Sequence, residues 1–256
     1  MSVEVQIDSG VATVTINRPE RKNAITMAMR GEFQQVFESL QDNDDVRVIV
    51  LTGAGGDFAA GADVGEMGQG GVRGNSIKAR TLHRMVRSVA LTNKPVIAAV
   101  EGVCIGVAFA LALASDFIIC ADNARFQFAF RHIGLAMDGA AGWLLERYVG
   151  IMRAKEIAYS GRFVSGTEAV SLGFALESVP AGGVLARAQE MAATFANAPT
   201  IALSQIKRQF DAAPGQTLAD ALEFEFAVQA LMTWTDDFRE GTTAFKEKRK
   251  PAYTGA

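Results

Sequence analysis

One carboxylate is the strongest candidate for chemistry in this sequence. Asp138 lies in the segment GLAMDGAAGW, among small residues and five positions before Trp143. A carboxylate in this setting can take a proton from a carbon atom and return it, or it can attack an electrophilic carbon as a nucleophile. An aspartate before small residues and an apolar run is also typical of a helix N-cap. The pattern therefore predicts either a reacting carboxylate or a cap.

Two glycine-containing turns could supply backbone hydrogen-bond donors. The segment FAAGAD, residues 58–63, follows the apolar run 46–51, and Gly106 follows the run 96–100 and opens a small-residue helix. The first N–H groups of a helix have no intrahelical partner, and free N–H groups can stabilise a developing oxyanion. If the two turns face one point, they form an oxyanion hole; each is also compatible with an ordinary glycine turn.

Composition argues against metal-binding and nucleic-acid-binding proteins. The two histidines are far apart, Cys104 and Cys120 lie in separate apolar runs, and no CxxC or HExxH spacing occurs, so we expect no metal site. The chain has 25 Lys and Arg against 28 Asp and Glu, a net charge of -3. That balance lacks the basic footprint of a nucleic-acid-binding protein.

A membrane or secreted location is also disfavoured by the sequence. The most apolar stretch, residues 95–121, is interrupted by Glu101 and Asp116, which leaves pieces shorter than the roughly 20 residues of a spanning helix. The first ten residues, MSVEVQIDSG, have neither the basic region nor the apolar core of a signal peptide. We therefore expect a cytoplasmic protein with no membrane partner.

Apolar periodicity predicts an α/β architecture in the first two thirds of the chain. Residues 3–7 and 11–16 alternate around Asp8-Ser9-Gly10, which indicates a hairpin. From Ile25 to Leu40 the apolar residues change to helical spacing. Short apolar runs at 46–51, 96–100 and 117–120 predict buried strands, the last two separated by a helix over 106–114. Residues 67–76, rich in glycine, predict a mobile loop before a helix over 77–91.

The C-terminal part of the chain is predicted to be helical. Three helical patterns follow residue 181, over 184–197, 200–213 and 217–235. The last one would expose Leu222, Phe226, Met232 and Trp234, which need something to cover them. We therefore divide the chain into a core over 1–195, which carries the site, and an oligomerisation region over 196–256.

The order and spacing of several longer segments resemble those of the enoyl-CoA hydratase/isomerase (crotonase) family from end to end. The matching segments are TINRPERKNAI, VIVLTGAGGDFAAGADVGEM, KPVIAAVEG, ALASDFIICADNARF, RHIGLAMDGAAGWLLERYVG and FKEKRKPAY. The resemblance implies a ClpP-like spiral of ββα units with a C-terminal helical trimerisation region. It further implies a homotrimer or dimer of trimers, an acyl-CoA thioester as substrate, and no cofactor apart from the CoA that the substrate carries.

The same resemblance assigns roles around the reacting carbon. Backbone N–H groups of Ala62 and Val107 match the two donors to the thioester carbonyl, although relatives that hydrate have three glycines where this chain has Gly106-Val107-Ala108. Hydratases of the family carry glutamates at the positions of Ala110 and Phe130, where this chain has no ionisable group. Asp138 matches an aspartate of relatives that lack both glutamates, and the segment is most similar to the phenylacetate-pathway ring-epoxide acyl-CoA isomerases.

Further substrate contacts follow from the resemblance alone. Side chains matching the acyl pocket are Phe130, Met67, His83 and Trp143. Residues matching the CoA-binding positions are Arg21, Lys22, Ala60, Asp63, Phe245 and Lys248. His83 also matches the assisting histidine of aroyl-CoA dehalogenases, although its place in the chain favours an exposed position on the helix over 77–91.

Together with the residues present, the resemblance implies an acyl-CoA isomerase that stabilises a thioester enolate and shuttles a proton with Asp138. Three alternatives remain open: an enoyl-CoA hydratase, an aspartate-nucleophile dehalogenase or hydrolase, and a non-catalytic acyl-CoA-binding subunit. The orientation of Asp138, toward a pocket or back onto its own helix, distinguishes a reacting residue from a cap.

Overall fold

The computed structural model describes residues 2–68 and 71–256, and in these ranges the chain forms nine strands and nine α-helices. The strands are β1 (Val3–Asp8), β2 (Val11–Ile16), β3 (Val48–Gly53), β4 (Val96–Val100), β5 (Val103–Ile105), β6 (Phe117–Ala121), β7 (Arg125–Gln127), β8 (Val164–Ser165) and β9 (Glu177–Val179). The helices are α1 (Met27–Gln41), α2 (Gly71–Ala90), α3 (Val107–Leu113), α4 (Ala141–Ser160), α5 (Gly166–Leu172), α6 (Val184–Ala196), α7 (Thr200–Ala212), α8 (Leu218–Met232) and α9 (Asp236–Glu247).

The larger sheet has the order β1-β2-β3-β4-β6-β9. Its first pair is antiparallel, because Ser9 and Gly10, both with positive φ, close the predicted hairpin tightly. All later pairs are parallel. The fully buried runs of β3 and β4 explain why these strands show continuous apolar sequence instead of alternation.

A second sheet of three short strands has the order β5-β7-β8. Each strand has only two or three residues, which is too short for an alternation signal, and the sequence did not predict them. This sheet lies directly after β4 in the chain and places the start of α3. It therefore belongs to the framework of the candidate site.

Two helical layers cover the larger sheet and its neighbours. α6 packs on β2, β3, β4 and β6 through Val184, Ala188 and Ala192, whose small side chains allow close approach. α1 packs against α2, with Phe33, Phe37 and other apolar side chains buried between helix and sheet. The domain boundary predicted at residue 195 lies within one residue of the end of α6. The division of the chain into a core and an oligomerisation region stays a prediction.

Several predicted element boundaries differ from the structure. α1 begins at Met27 because Thr26 caps it, accepting a hydrogen bond from Met29 N at 3.2 Å, while Ile25 pairs with Ala62 in an isolated bridge. The mobile loop predicted over 67–76 is wrong for residues 71–76, which are the first turns of α2. Positions 69 and 70 of that loop lie outside the described residues. Further along α2, Lys78 and Thr81 contact Glu66 and Met27 and hold the helix against the segments that precede it.

The C-terminal region contains one helix more than predicted. The helix expected over 217–235 ends at Met232, and Thr235 then caps α9 by accepting a hydrogen bond from Phe238 N. Leu222, Phe226 and Trp234 are exposed by half or more, as expected of a surface that another chain covers. The trimer remains a prediction. No helix in the described ranges combines the length and the apolar character that crossing a membrane requires.

Both cysteines are fully buried and chemically protected. Burial raises the pKa of Cys120 to about 12 and raises that of Cys104 well above its ordinary value. We expect a thiol reagent at pH 8 to label neither cysteine in the native protein and both after denaturation, because the thiolate is the reactive species. Unfolded thiols ionise near pH 8.5 whereas the folded ones stay protonated, so the free energy of unfolding should fall as the pH rises above about 9. Rapid labelling of the native protein would contradict this prediction.

Candidate active site

A buried asparagine shapes the glycine-rich loop that follows β3. Asn23 has φ of +56° and is fully buried; its Nδ2 donates to the carbonyls of Ala54 (2.8 Å) and Asp57 (2.7 Å), and its Oδ1 accepts from Arg18 N (2.9 Å). Asparagine tolerates this left-handed conformation better than most residues. A Cβ on Gly53 would lie 2.1 Å from the Asp57 carbonyl oxygen, so the loop requires glycine there. Sequence reasoning missed Asn23, although it stands within the TINRPERKNAI segment.

The two turns predicted to supply donors lie against each other. Asp57 Oδ1 accepts a hydrogen bond from Val103 N at 2.8 Å, and Ala59 exchanges backbone hydrogen bonds with Val103 and Ile105, each at 3.0 Å. A Cβ on Gly61 would lie 2.8 Å from the Ile105 carbonyl oxygen. The loop after β3 and the turn after β5 are therefore in backbone contact, which is the juxtaposition that an oxyanion hole needs.

The N–H groups of Ala62 and Val107, the two predicted donors, are not used by backbone hydrogen bonds within the described residues. The bridge between Ile25 and Ala62 uses Ile25 N to Gly61 O and Asp63 N to Ile25 O, and the N–H of Ala62 is in none of the backbone hydrogen bonds found among the described residues. Val107 is the first residue of α3, after Gly106 with φ of +59°, so its N–H has no intrahelical partner. Donation from these two groups to a thioester stays a prediction.

Asp138 does not cap the following helix. α4 begins at Ala141 after Ala140, which has φ of +59° and caps it without a side-chain hydrogen bond. Asp138 Oδ1 instead accepts from Gly139 N at 2.7 Å and lies 2.7 Å from His83 Nε2. Its Oδ2 takes part in no hydrogen bond among the described residues. The cap interpretation is therefore wrong, and one carboxylate oxygen is held while the other is open.

The first turn of α3 connects the donors to this carboxylate. A Cβ on Gly139, the residue after Asp138, would lie 3.2 Å from the Cβ of Ala110. Ala110 is one turn after Val107 on the same face of α3, about 4.5 Å along the helix axis. Phe130 lies near Gly106, the residue that precedes α3, because a Cβ on Gly106 would be 3.9 Å from the Cζ of Phe130. Asp138 thus stands beside Ala110, one of the two positions that the resemblance matches to the hydratase glutamates, and Phe130 is the other.

Asp138 is only partly enclosed, and the side chains matched to the acyl pocket do not bury it. Its side chain is 37% exposed, and that of His83 is 59% exposed. Trp143 is itself 59% exposed, stacks against the Arg147 guanidinium, and borders a separate groove of about 520 Å³. Met67 ends the short 3-10 helix over 64–66 and is 37% exposed.

The positions matched to CoA binding fall into two separate parts of the chain. Lys22 and Ala60 are in direct contact, because Ala60 N donates to Lys22 O at 2.8 Å; Arg21 precedes them on an exposed turn. The carboxylate of Asp63 is held by Arg18 and by Gly65 N, and the Arg18 hydrogen bond lowers its pKa. Phe245 and Lys248 are exposed at the end of α9. Contact of any of the six with CoA remains a prediction.

Glu101 lies at the turn between β4 and β5. It accepts a hydrogen bond from Gly182 N at 2.7 Å, which ties that turn to the loop before α6.

No metal-ligand cluster is found in the part of the chain that the structure describes. Among residues 2–68 and 71–256, no three His, Cys, Asp or Glu side chains are grouped as metal ligands would be.

Comparison with known proteins decides the family. Residues 6–256 match the family model described as enoyl-CoA hydratase/isomerase. The chain belongs to the enoyl-CoA hydratase/isomerase family. It is 36% identical over 254 residues to the 1,2-epoxyphenylacetyl-CoA isomerase of Escherichia coli K12, with 97% of both chains covered. It is 34% identical over 254 residues to a probable enoyl-CoA hydratase of Rhodobacter capsulatus, covering 99% of this chain and 98% of the relative.

Solved structures confirm the fold of this hydratase/isomerase family member. The crystal structure of enoyl-CoA hydratase from Bacillus anthracis superposes on the whole of this chain and of its own with a TM-score of 0.96, at 29% identity. The α/β crotonase fold predicted from the sequence is therefore confirmed. Relatives named as isomerases and relatives named as hydratases both occur, so the reaction has to be argued from the site itself.

Proposed function

We propose that this enoyl-CoA hydratase/isomerase family member is an acyl-CoA isomerase in which Asp138 transfers a proton between two carbons of the acyl chain. The observation that carries this proposal is the state of Asp138: Oδ1 is fixed by Gly139 N and His83, and Oδ2 is open. Ala110 and Phe130 leave no carboxylate at the places where hydratases carry glutamate. A single proton-transfer group is sufficient for an isomerase, which returns the proton that it removes.

The reaction proceeds through a thioester enolate. The N–H groups of Ala62 and Val107 donate to the thioester oxygen as negative charge develops there, which makes the neighbouring C–H more acidic; one such donor contributes about 3–4 kcal/mol. Asp138 Oδ2 takes a proton from one carbon, the double bond moves, and the same oxygen delivers the proton to another carbon. His83 positions the carboxylate through Oδ1. No water, metal or redox group is consumed, and the net reaction is an isomerisation.

We also propose that CoA is bound mainly through its phosphates and that the enzyme needs no cofactor beyond it. Arg21 and Lys22 present positive charge on the surface next to Ala60, and several weak contacts of this kind are sufficient for a phosphate-rich ligand. The exposed apolar residues of α8 support a homotrimer or dimer of trimers. We place the enzyme in the cytoplasm, with no nucleic-acid or membrane partner.

Product analysis tests the reaction class. A panel of 2-enoyl, 3-enoyl and aromatic acyl-CoA thioesters is incubated with the native protein, and products are followed by NMR and mass spectrometry. We expect a shift of a double bond or a ring rearrangement at unchanged mass. Accumulation of a 3-hydroxyacyl-CoA, 18 Da heavier than its substrate by the mass of the added water, would contradict the isomerase proposal.

His83 should control how well Asp138 is positioned. Replacing His83 with Ala removes the 2.7 Å contact to Oδ1, and we expect kcat to fall about 10- to 100-fold with a small change in KM, because misplacement of a reacting group lowers the rate and not the binding. Arg84→Ala, at the next exposed position of α2, is the matched control and should behave like the native protein. Equal kcat values for the native protein and His83→Ala would exclude a positioning role.

The contact between His83 and Asp138 also favours a second candidate, in which Asp138 is a nucleophile. The open Oδ2 would attack an aromatic ring carbon of an aroyl-CoA, a halide would leave, and water would cleave the resulting ester and restore the carboxylate. Single turnover in H2¹⁸O distinguishes the two. A nucleophilic Asp138 places ¹⁶O from its own carboxylate in the first product and gains ¹⁸O itself, whereas a proton shuttle exchanges no oxygen.

A further inference from the structure

Arg18 joins the two chain segments that meet in the bridge at Ala62. Its Nη1 donates to the carbonyl of Ala24 at 3.0 Å and to Oδ2 of Asp63 at 2.5 Å. Ala24 precedes Ile25, the partner of Ala62 in the bridge. Asp63 follows Ala62, so a single guanidinium nitrogen binds beside both partners. The Arg18–Asp63 pair is partly buried, and charged hydrogen bonds of this kind are stronger than neutral ones.

The bridge fixes the peptide group that carries the Ala62 N–H. Ile25 N donates to the carbonyl oxygen of Gly61 at 2.7 Å, and Asp63 N donates back to Ile25 O at 3.0 Å. The Gly61 carbonyl and the Ala62 N–H belong to one planar trans peptide unit, in which the two groups point in opposite directions. Holding the Gly61 carbonyl toward Ile25 therefore directs the Ala62 N–H away from Ile25.

Gly61 also lies against the turn that leads to the second predicted donor. A Cβ on Gly61 would be 2.8 Å from the Ile105 carbonyl oxygen and 3.9 Å from the Cα of Gly106, the residue before Val107. Gly61 has φ of +93°, a conformation that glycine adopts readily and other residues rarely. The loop therefore gains no rigidity from a side chain at this position, and the hydrogen bonds of its neighbours have to hold it.

The Arg18–Asp63 pair is anchored at both ends. Arg18 N donates to Oδ1 of the buried Asn23 at 2.9 Å, and Arg18 O accepts from Asn23 N at 2.9 Å. The Asp63 carboxylate also accepts from Gly65 N at 2.9 Å through Oδ1. Glu20 lies 3.7 Å from Arg18 Nε, but its side chain is mostly exposed, and such a contact contributes little. Asp63 is thus the main charged partner of Arg18.

We propose that Arg18 is a positioning residue that holds the Ala62 N–H in the direction from which it donates to the thioester oxygen. The proposal rests on the oxyanion role proposed for Ala62, and it does not depend on which group moves the proton. A donor stabilises an oxyanion most when it is already in place before the charge develops. Arg18 would then raise kcat through Asp63 and the bridge, without touching the substrate.

Turnover of Arg18→Met and Arg18→Lys tests this role, with Arg187→Met as the matched control. Arg187 lies on α6 and forms a comparable pair with Glu177 at 2.9 Å, outside the candidate site. We expect Arg18→Met to lower kcat about 10- to 100-fold with little change in KM, because a misplaced group lowers the rate more than the binding. Arg18→Lys, whose ammonium has three donors, should recover most of the loss. Arg187→Met should turn over at the native rate.

Asp63→Asn and the double variant Arg18→Met/Asp63→Asn show whether the two residues act as a unit. Asparagine at position 63 can still accept from Gly65 N, so the change is confined to the ion pair. If the pair holds the loop, the double variant should lose no more turnover than Arg18→Met alone. Losses that multiply in the double variant would contradict a role exerted through Asp63.

Infrared spectroscopy of a bound thioester measures the donor directly. The probe is a saturated acyl-CoA that has no double bond to move and carries ¹³C at its thioester carbonyl. Hydrogen bonds to the carbonyl oxygen lower its stretching frequency. At saturation we expect the frequency to be lowered less by Arg18→Met than by the native protein, and equally by Arg187→Met and the native protein.

The carbonyl frequency also separates this proposal from a purely structural role and from the reaction itself. A frequency that is the same in Arg18→Met and the native protein would overturn the proposal, even if kcat or the Tm fell. No lowering by the native protein would overturn the donor role of Ala62 and the role of Arg18 together. The isomerase function fails separately, if the product is heavier than the substrate by one water.

Discussion

Replacing Asp138 with Asn is expected to lower isomerase turnover by about 10³-fold, within the range of 10²–10⁴ that a positioned acid–base group contributes. Asparagine has nearly the same shape and can still accept from Gly139 N, which the aspartate does at 2.7 Å. It cannot accept a proton at the position of Oδ2. The loss should therefore appear in kcat, while binding of the acyl-CoA changes little.

Glu146→Gln is the matched control for this substitution. Glu146 is an exposed carboxylate on α4, close to Asp138 in sequence, and loses the same charge in the variant. We expect it to turn over at the native rate. Loss of activity in both variants would point to net charge, and full activity of Asp138→Asn would contradict proton transfer by this residue.

Replacing Val107 with Pro should be the second most damaging change, because it removes one oxyanion donor and little else. Val107 is the first residue of α3, a position at which proline is tolerated since its N–H has no helical partner to lose. Deleting one oxyanion-hole donor lowers kcat by about 10²–10³-fold. We expect that loss with an unchanged circular dichroism spectrum.

Val107→Ala separates the backbone effect from the side chain. It keeps the N–H and shortens the side chain, so its kcat should stay within a fewfold of native. If Val107→Pro remains folded and as active as Val107→Ala, the N–H of residue 107 does not bind the thioester oxygen.

Much of the fold could be predicted from local sequence, because the signals were local. Asp8-Ser9-Gly10 allows a tight hairpin turn, residues 96–100 form a strand that is apolar on both sides, and Gly106 opens a helix of small residues; all three occur as predicted. The strands β5, β7 and β8 were missed because two or three residues give no periodicity. Residues 71–76 were misjudged because glycine lowers helix propensity, whereas in the structure they form the first turns of α2.

The site depended more on contacts between distant residues. His83 and Asp138 are 55 residues apart, and their 2.7 Å contact leaves no trace in helical spacing, so the sequence favoured a merely exposed histidine. The side chain is indeed exposed, and it also contacts Asp138. The cap interpretation of Asp138 failed because Gly139 and Ala140 both adopt positive φ, which turns the aspartate away from α4.

Deuterium incorporation from D2O at the carbon next to the thioester is the measurement that most directly tests proton shuttling by Asp138. Native protein and Asp138→Asn are incubated with an acyl-CoA that both bind, and the label is located by NMR and mass spectrometry. We predict incorporation with the native protein and its loss in the variant, since only the carboxylate forms the enolate. Equal incorporation by both proteins would contradict a proton shuttle at Asp138.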